Sequence, residues 1–284
     1  MTPNQSQHTA SDKPLADKAS GQDATLRIGS GDLKLLVEER RGGTSIDQQT
    51  LHTYGYDKAV GIESLSELFY STELLRQPFR STTIYLDNGD SYVLAPSDLR
   101  EEGSDPLIWL QLAQATEGHQ VLSTPLESIR ATLIWSVPQE LYDFCLRSFP
   151  MANFIHPIAP LISACTTYTR REHPHALMVY WVGSSLDVLY SSEGALQLAN
   201  RYEASSAVDA LYYITALWRQ LDLSTPDDHL LLYTQSEEGA EQSRAADLLK
   251  LLQESITNIY HQTYPGVADG LLASMPPEML LSRI

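Results

Sequence analysis

The sequence is poor in cysteine. Cys145 and Cys165 are its only two, each in a stretch that reads as helix and neither in a CxxC pair. Two thiols cannot build a disulfide framework, and free buried cysteines suit a reducing compartment. Positive charge is scarce too, with 19 Lys and Arg against 36 Asp and Glu and a formal charge of −17. That argues against nonspecific binding to nucleic acid or to an anionic membrane, both of which need clustered cations. No run approaches the ~20 apolar residues of a membrane span. The first residues show no basic stretch followed by an apolar one, so no signal peptide is expected, and the cytoplasm is the expected compartment. Catalytic signatures are missing as well: there is no GxSxG, HExxH or Walker A motif.

What is present is an ordinary globular composition. The chain is 43% apolar over 284 residues, enough for one large or two ordinary domains. Residues 1–23 are polar and without hydrophobic period, and are expected to be a disordered tail. Strands are expected at 25–28 and 33–38, around the turn Gly29-Ser30-Gly31, with a further strand at 49–56. Leu65, Leu68, Phe69 and Leu75 predict a helix over 64–76, stopped by Pro78. The turn Asn88-Gly89 joins strand-like runs at 81–87 and 91–95. The stretch 96–127 is less regular, with 106–112 a candidate strand. A strand at 129–137, a helix at 139–147, a short strand at 153–156 and a helix at 158–168 follow.

The second part opens on 176–182, a continuous apolar run suited to a central strand covered on both faces. Strands at 185–190 and 195–203 complete a meander around Gly183 and Gly194. Ser206 with Asp209 has capping-box spacing, and Ala210, Ile214, Leu217 and Leu221 make the apolar stripe of the helix it starts. A strand at 229–233, a helix at 240–253, a strand at 255–261 and a short docking helix at 275–281 end the chain. The order over 176–261 is βββαβαβ, and 25–168 repeats its beginning. This grammar describes a duplicated α/β architecture with mixed sheets. The expected division is 24–172 for the first half, 173–264 for the second, and 265–284 for a C-terminal tail.

Four segments carry a family resemblance: LRIGSGDLKLLV at 26–37, LLRQPFRSTTIYLDNGDSYVLAPSDL at 74–99, VPQELYDFCLRSFPMANFIHPIAPLI at 137–162, and ANRYEASSAVDALYYITALWRQLDLSTPDDHLLLY at 199–233. They resemble a Bacteroidetes family of unknown function, which is in turn similar to the actin-like ATPase superfamily and most like its PilM and FtsA branch. The resemblance implies a duplicated ribonuclease H-like, actin-like fold. It also implies that two glycine turns, Gly29-Ser30-Gly31 and Gly183-Ser184-Ser185, stand where the family's turns clasp phosphates through backbone N–H groups.

The acidic residues that should accompany those turns are replaced. PilM-like chains read Ile-Asp-Ile-Gly at the first turn, where this one reads Leu26-Arg27-Ile28-Gly29. In the second half the carboxylate position falls on Tyr180 or Trp181, and Thr234 to Gly239 stands where the family has a Gly-Gly turn. Asp32 and Asp187 lie just past the turns and are candidate substitutes, although an Asp at such a place is more often structural. The expectation is therefore no ATP hydrolysis, no catalytic residue, no metal ligand and no cofactor. The chain would be a non-catalytic scaffold with a protein partner, binding no nucleic acid and not inserted in a membrane. The alternative is an ATP-binding switch in which Gly29, Ser30, Gly31, Gly183, Ser184 and Ser185 hold the phosphates of ATP with Mg²⁺. His173-Pro-His175 could ligate a metal, and Cys145 or Cys165 with His156 could form a thiol nucleophile, but a polar loop and small core residues are the commoner meanings. Tyr212, Tyr213 and Trp218 are expected to pack rather than to cage a ligand.

Overall fold

The computed structural model describes residues 21–29, 31–41, 45–86, 92–97, 111, 117–234, 240–261 and 275–282. In chain order its strands are β1 (Gln22–Ile28), β2 (Asp32–Arg41), β3 (Ser45–Gly55), β4 (Ser81–Leu86), β5 (Val93–Pro96), β6 (His119–Leu126), β7 (Ala131–Pro138), β8 (Asn153–Ile155), β9 (His175–Val182), β10 (Ser185–Ser192), β11 (Ala195–Glu203), β12 (His229–Thr234) and β13 (Ile259–His261). The helices are α1 (Ile62–Ser71), α2 (Gln139–Ser148), α3 (Ile158–Arg171), α4 (Ala207–Gln220), α5 (Ala240–Gln253) and α6 (Pro277–Leu281).

The duplication is written in the strand orders. One five-stranded sheet runs β3-β2-β1-β4-β8 and the other β11-β10-β9-β12-β13. Each places its third, second, first, fourth and fifth strands side by side in that order. The first half carries an addition between β4 and α2, the three-stranded sheet β5-β7-β6. The chain forms two compact units that interleave in sequence, Met1–Tyr85 with Glu140–Phe154, and Leu86–Gln139 with Ile155–Ile284. The expected division at 172/173 falls between the strands of the two five-stranded sheets.

In the first unit β2 buries Leu33, Leu35 and Val37. Leu36 is fully buried as well, and Glu38 is covered while accepting from Gln49 Nε2 at 2.9 Å. Both faces of the strand are thus covered. Phe69 of α1 meets Phe144 edge to face at 5.0 Å and Phe149 at 5.9 Å, which ties α1 to α2. The helix predicted over 64–76 is two pieces. Thr72 is extended (φ −99, ψ 110) and ends α1, after which Glu73–Arg76 forms one 3₁₀ turn. A β-branched residue gives up little by leaving the helix there.

In the second unit β9 is buried on both faces, as its continuous apolar run requires. Leu177, Val179 and Trp181 join Leu186, Val188, Leu230 and Leu232 against Ala210, Ile214 and Leu217 of α4 and Leu248 and Leu252 of α5. On the opposite side α3 packs on β9, β10 and β11 and touches α6. The capping box is formed: Ser206 N–H donates to Asp209 Oδ2 at 3.0 Å and Asp209 N–H to Ser206 Oγ at 3.2 Å. β6 lies within a stretch read as irregular, because Pro125 and its run of small polar residues break the apolar alternation. It is an edge strand, where a proline is tolerated.

The expected tail reaches less far than residue 23, since β1 begins at Gln22, and residues 1–20 lie outside the described residues. So do the Asn88-Gly89 turn and all of 106–112 except Gln111. The short helix expected at 275–281 forms as α6, and each of its five residues is buried. Among the described residues no helix is long and apolar enough to cross a membrane.

Candidate functional site

The first glycine turn is built around an ion pair. Arg27 Nη1 donates to both oxygens of Asp32, at 3.0 and 3.2 Å, and the Arg27 side chain is only 6% exposed. Lys34 Nζ stands 3.9 Å from the same carboxylate. A Cβ added to Gly29 would overlap Asp32 Oδ1 and lie 2.5 Å from Arg27 Nη1. The space left by the missing side chain is thus filled by the chain's own charges. The turn's described N–H groups are used internally: Gly29 donates to the Asp32 carbonyl at 2.9 Å and Gly31 to the Gly29 carbonyl at 3.1 Å. Gly31 has φ +118, which explains a glycine there. The Tyr56 hydroxyl donates to the Gly29 carbonyl, closing the turn from the β3 side. Ser30 lies outside the described residues.

The second turn is open. Gly183 has φ +58, and a Cβ added to it would meet nothing within 4 Å. Among the described residues no group accepts from the N–H of Gly183 or Ser184. Their carbonyls are taken, that of Ser184 by Ala204 N–H at 2.8 Å and that of Gly183 by Arg244 Nη2 at 3.2 Å. Arg244 also donates to the Ser205 carbonyl at 2.9 Å and stacks 5.1 Å over the Trp181 ring. Ser185 is the first residue of β10 and pairs with Val182. Two positions further along β10 lies Asp187, bound in a fork by Arg201 through Nε at 2.9 Å and Nη2 at 2.7 Å. Trp181 is turned into the α4 side of the core with its indole N–H on the Ala204 carbonyl, while the Tyr180 hydroxyl donates to buried Glu278 at 2.8 Å.

A family model, "Protein of unknown function (DUF3822)", matches residues 16–259. The chain belongs to this family. A Bacteroides thetaiotaomicron protein with an actin-like ATPase fold and unknown function has a similar structure, with a TM-score of 0.75 at 18% identity over 88% of this chain and 93% of that one. At that likeness the fold is shared, so this DUF3822 chain has the actin-like ATPase fold, as its sequence led one to expect. Weaker likenesses include a chain of the PilM–PilN type IV pilus biogenesis complex, with a TM-score of 0.47 at 12% identity over 84% of this chain and 87% of that one. Another is the activator of 2-hydroxyisocaproyl-CoA dehydratase from Clostridium difficile with bound ADPNP, with a TM-score of 0.41 at 9% identity over 92% and 91%. No curated protein matches the sequence.

Magnesium nucleotide is the group this fold implies, and the first turn does not fit it. Phosphate oxygens need room and free donors, whereas the DUF3822 turn has its pocket filled and its described N–H groups engaged. Magnesium needs carboxylate oxygens, yet Asp32 and Asp187 are each held by an arginine. Among the described residues no group of three or more His, Cys, Asp or Glu converges on a point. At the second turn two N–H groups have no acceptor among the described residues, and the Arg244 guanidinium lies on the Gly183 carbonyl. Arg201 and Arg244 went unremarked in the sequence. Nothing local marks Arg244, 61 residues from Gly183; the hairpin around Gly194 brings Arg201 opposite Asp187. Thr234 ends β12 with its hydroxyl 3.2 Å from His261 Nε2, and residues 235–239 lie outside the described residues.

The remaining candidates resolve into packing. His173 stacks on His229, with ring centroids 3.9 Å apart and 23° between planes. Ring-nitrogen lone pairs lie in the ring planes, so stacked imidazoles do not converge on a metal. His173 Nδ1 donates to the His175 carbonyl at 2.9 Å, and Tyr168 Oη lies 2.6 Å from His229 Nδ1. Burial, then the neighbouring His173, hold His229 below the ordinary imidazole range, with Asp228 acting the other way. Burial lowers His261 as well. A folded-state pKa below the unfolded one means that stability is complete above about pH 6.5 and is lost as pH falls toward the folded value. Urea midpoints are expected to decline from pH 7.5 to 5.5, and less steeply in His229→Asn. An identical slope in that variant would remove His229 as the cause.

Cys145 and Cys165 are buried, and burial pushes both thiols up to about 12, so neither supplies a thiolate at neutral pH. His156 is equally buried and accepts from the Ile158 N–H at 3.1 Å, with Trp135 and Tyr92 against its ring. Trp218 is core, and Tyr213 stacks on Tyr202 at 4.5 Å, while Tyr212 stands 66% exposed.

Proposed function

We propose that the chain is a non-catalytic member of the actin-like fold, a cytoplasmic scaffold that works by binding another protein. The observation that carries this is the Arg27–Asp32 pair set into the Gly29 turn. A cation occupies the position where metal chemistry needs an anion, and it neutralises the nearest carboxylate. Hydrolysis of a phosphoanhydride relies on charge stabilisation and on positioning of the attacking water, and Asp32 is committed elsewhere.

The test uses the purified full chain with millimolar ATP, with and without MgCl₂, read by phosphate release and by thermal shift. Phosphate release at the level of a protein-free control is expected. A ligand present at 100 times its Kd adds about 2.7 kcal/mol to stability, or a rise in Tm of about 5 °C or more for a chain of this size. No such rise is expected. Magnesium-dependent turnover that disappears with Gly29 or Gly183 substitution would overturn the reading.

The second reading is an ATP-binding switch without hydrolysis, favoured by the open Gly183 turn and its two N–H groups, which have no acceptor among the described residues. It requires a thermal shift with ATP that Arg244→Ala abolishes. A shift unaffected by that change, or no shift, removes it.

A further inference from the structure

β11 is the outer strand of its sheet, and among the described residues no strand pairs with its far side. A groove of about 260 Å³ runs along it. Leu196, Gln197, Leu198 and Ala199 all line that groove. β11 is the sheet's outer strand, so this wall of the groove lies along the sheet's edge, where the bulge at Gln197 locally suspends the alternation of side chains. The other wall is apolar, made by Leu94 and Pro96 of β5 and by Ile129. Arg130 stands at this wall as the only charged residue among the nine described residues that line the groove. It is exposed, held at φ +51, and makes no ion pair among the described residues.

We propose that this edge takes up an extended segment of a partner protein by strand addition, with apolar side chains against Leu94, Pro96 and Ile129 and an acidic side chain on Arg130. An open strand edge presents unpaired N–H and C=O groups, and an added strand satisfies those on either side of the Gln197 bulge. Arg130, the one charged residue among the described residues that line the groove, sets the complementary charge. A second copy of this chain is the poorer occupant. Each copy carries a formal charge of −17, and the register of β10 with β11 slips between Tyr190 and Ser191, leaving Gln197 as an extra residue on the edge. A free extended segment can shift its own register past that extra residue, which the fixed β11 edge of a second copy cannot do. The proposal does not depend on the scaffold reading, since a nucleotide-binding chain would present the same edge.

A phage-displayed library of random dodecapeptides, panned on the full chain, tests it. Enriched sequences are expected to alternate apolar residues and to carry Asp or Glu. The best of them, labelled with fluorescein, should bind with a micromolar Kd that weakens about tenfold in Arg130→Glu and at least tenfold in Gln197→Pro. N-methylation of alternate amides along the peptide's pairing edge should abolish binding, and this arm needs no protein variant and so survives any misfolding of Gln197→Pro. A library without enrichment, or peptides that tolerate both N-methylation and Gln197→Pro, would overturn the proposal. A wild-type dimer in sedimentation that Gln197→Pro splits would also overturn it, by making a second copy the occupant.

Discussion

Asp187→Ala is expected to cost about 3–5 kcal/mol of stability, the range for removing one partner of a buried ion pair. The Asp187 side chain is 2% exposed and that of Arg201 9%. The two stand directly opposite each other on β10 and β11, joined by two hydrogen bonds in a planar fork, and the guanidinium lies 5.4 Å over the Tyr92 ring. Without the carboxylate, Arg201 stays enclosed with a charge that water cannot reach. The loss therefore reflects the enclosed charge of Arg201 more than the worth of the pair itself. Two companions separate these quantities. Asp187→Asn keeps an acceptor and should lose less, while Asp187→Leu with Arg201→Met should return near to wild type, because two apolar side chains carry no desolvation penalty. Urea titration of the full chain by far-UV circular dichroism measures all three. A loss below about 1 kcal/mol for Asp187→Ala would show that solvent reaches Arg201. It would also reopen Asp187 as a carboxylate able to meet a cation.

What the sequence displays depends on how far apart the interacting residues lie. β9 was legible because burial on both faces leaves seven apolar residues in a row, and the start of α4 because its capping box spans only Ser206 to Asp209. The two glycine turns were legible for the same local reason. Their contents were not. Arg27 and Asp32 are five residues apart across a turn, and no periodic rule predicts that one will cross to the other. Arg201 was hidden by the bulge. A regular hairpin about Glu193 and Gly194 would set Asp187 against Asn200, and only the extra residue Gln197 brings Arg201 into register. β6 was lost to its polar, proline-bearing composition, which an edge strand tolerates. The strand orders, which carry the duplication, come from long-range pairing that the order of elements suggests but does not specify.

The same long-range logic gives the second large effect. Gly29→Ala is expected to lower stability by about 2 kcal/mol or more, because its Cβ must displace Arg27 Nη1 and Asp32 Oδ1 from the turn. Arginine tips usually move aside cheaply. This one is enclosed, so moving it means giving up the pair, and the aspartate is too short to yield alone. The penalty should therefore be coupled to Arg27. In an Arg27→Ala background, which itself loses the Arg27–Asp32 pair, adding Gly29→Ala should cost at least 1 kcal/mol less than it does alone, within the range found for residues in contact. Gly183→Ala supplies the control. Its Cβ meets open space, so its cost is the ~1–2 kcal/mol of a left-handed backbone in a non-glycine residue, and Arg27→Ala should leave that cost unchanged. Additive effects at Gly29 and Arg27 would mean that the pair swings clear of the turn at no expense. In that case the Gly29 turn could empty to admit a phosphate, and the nucleotide-binding reading would gain what the scaffold reading loses.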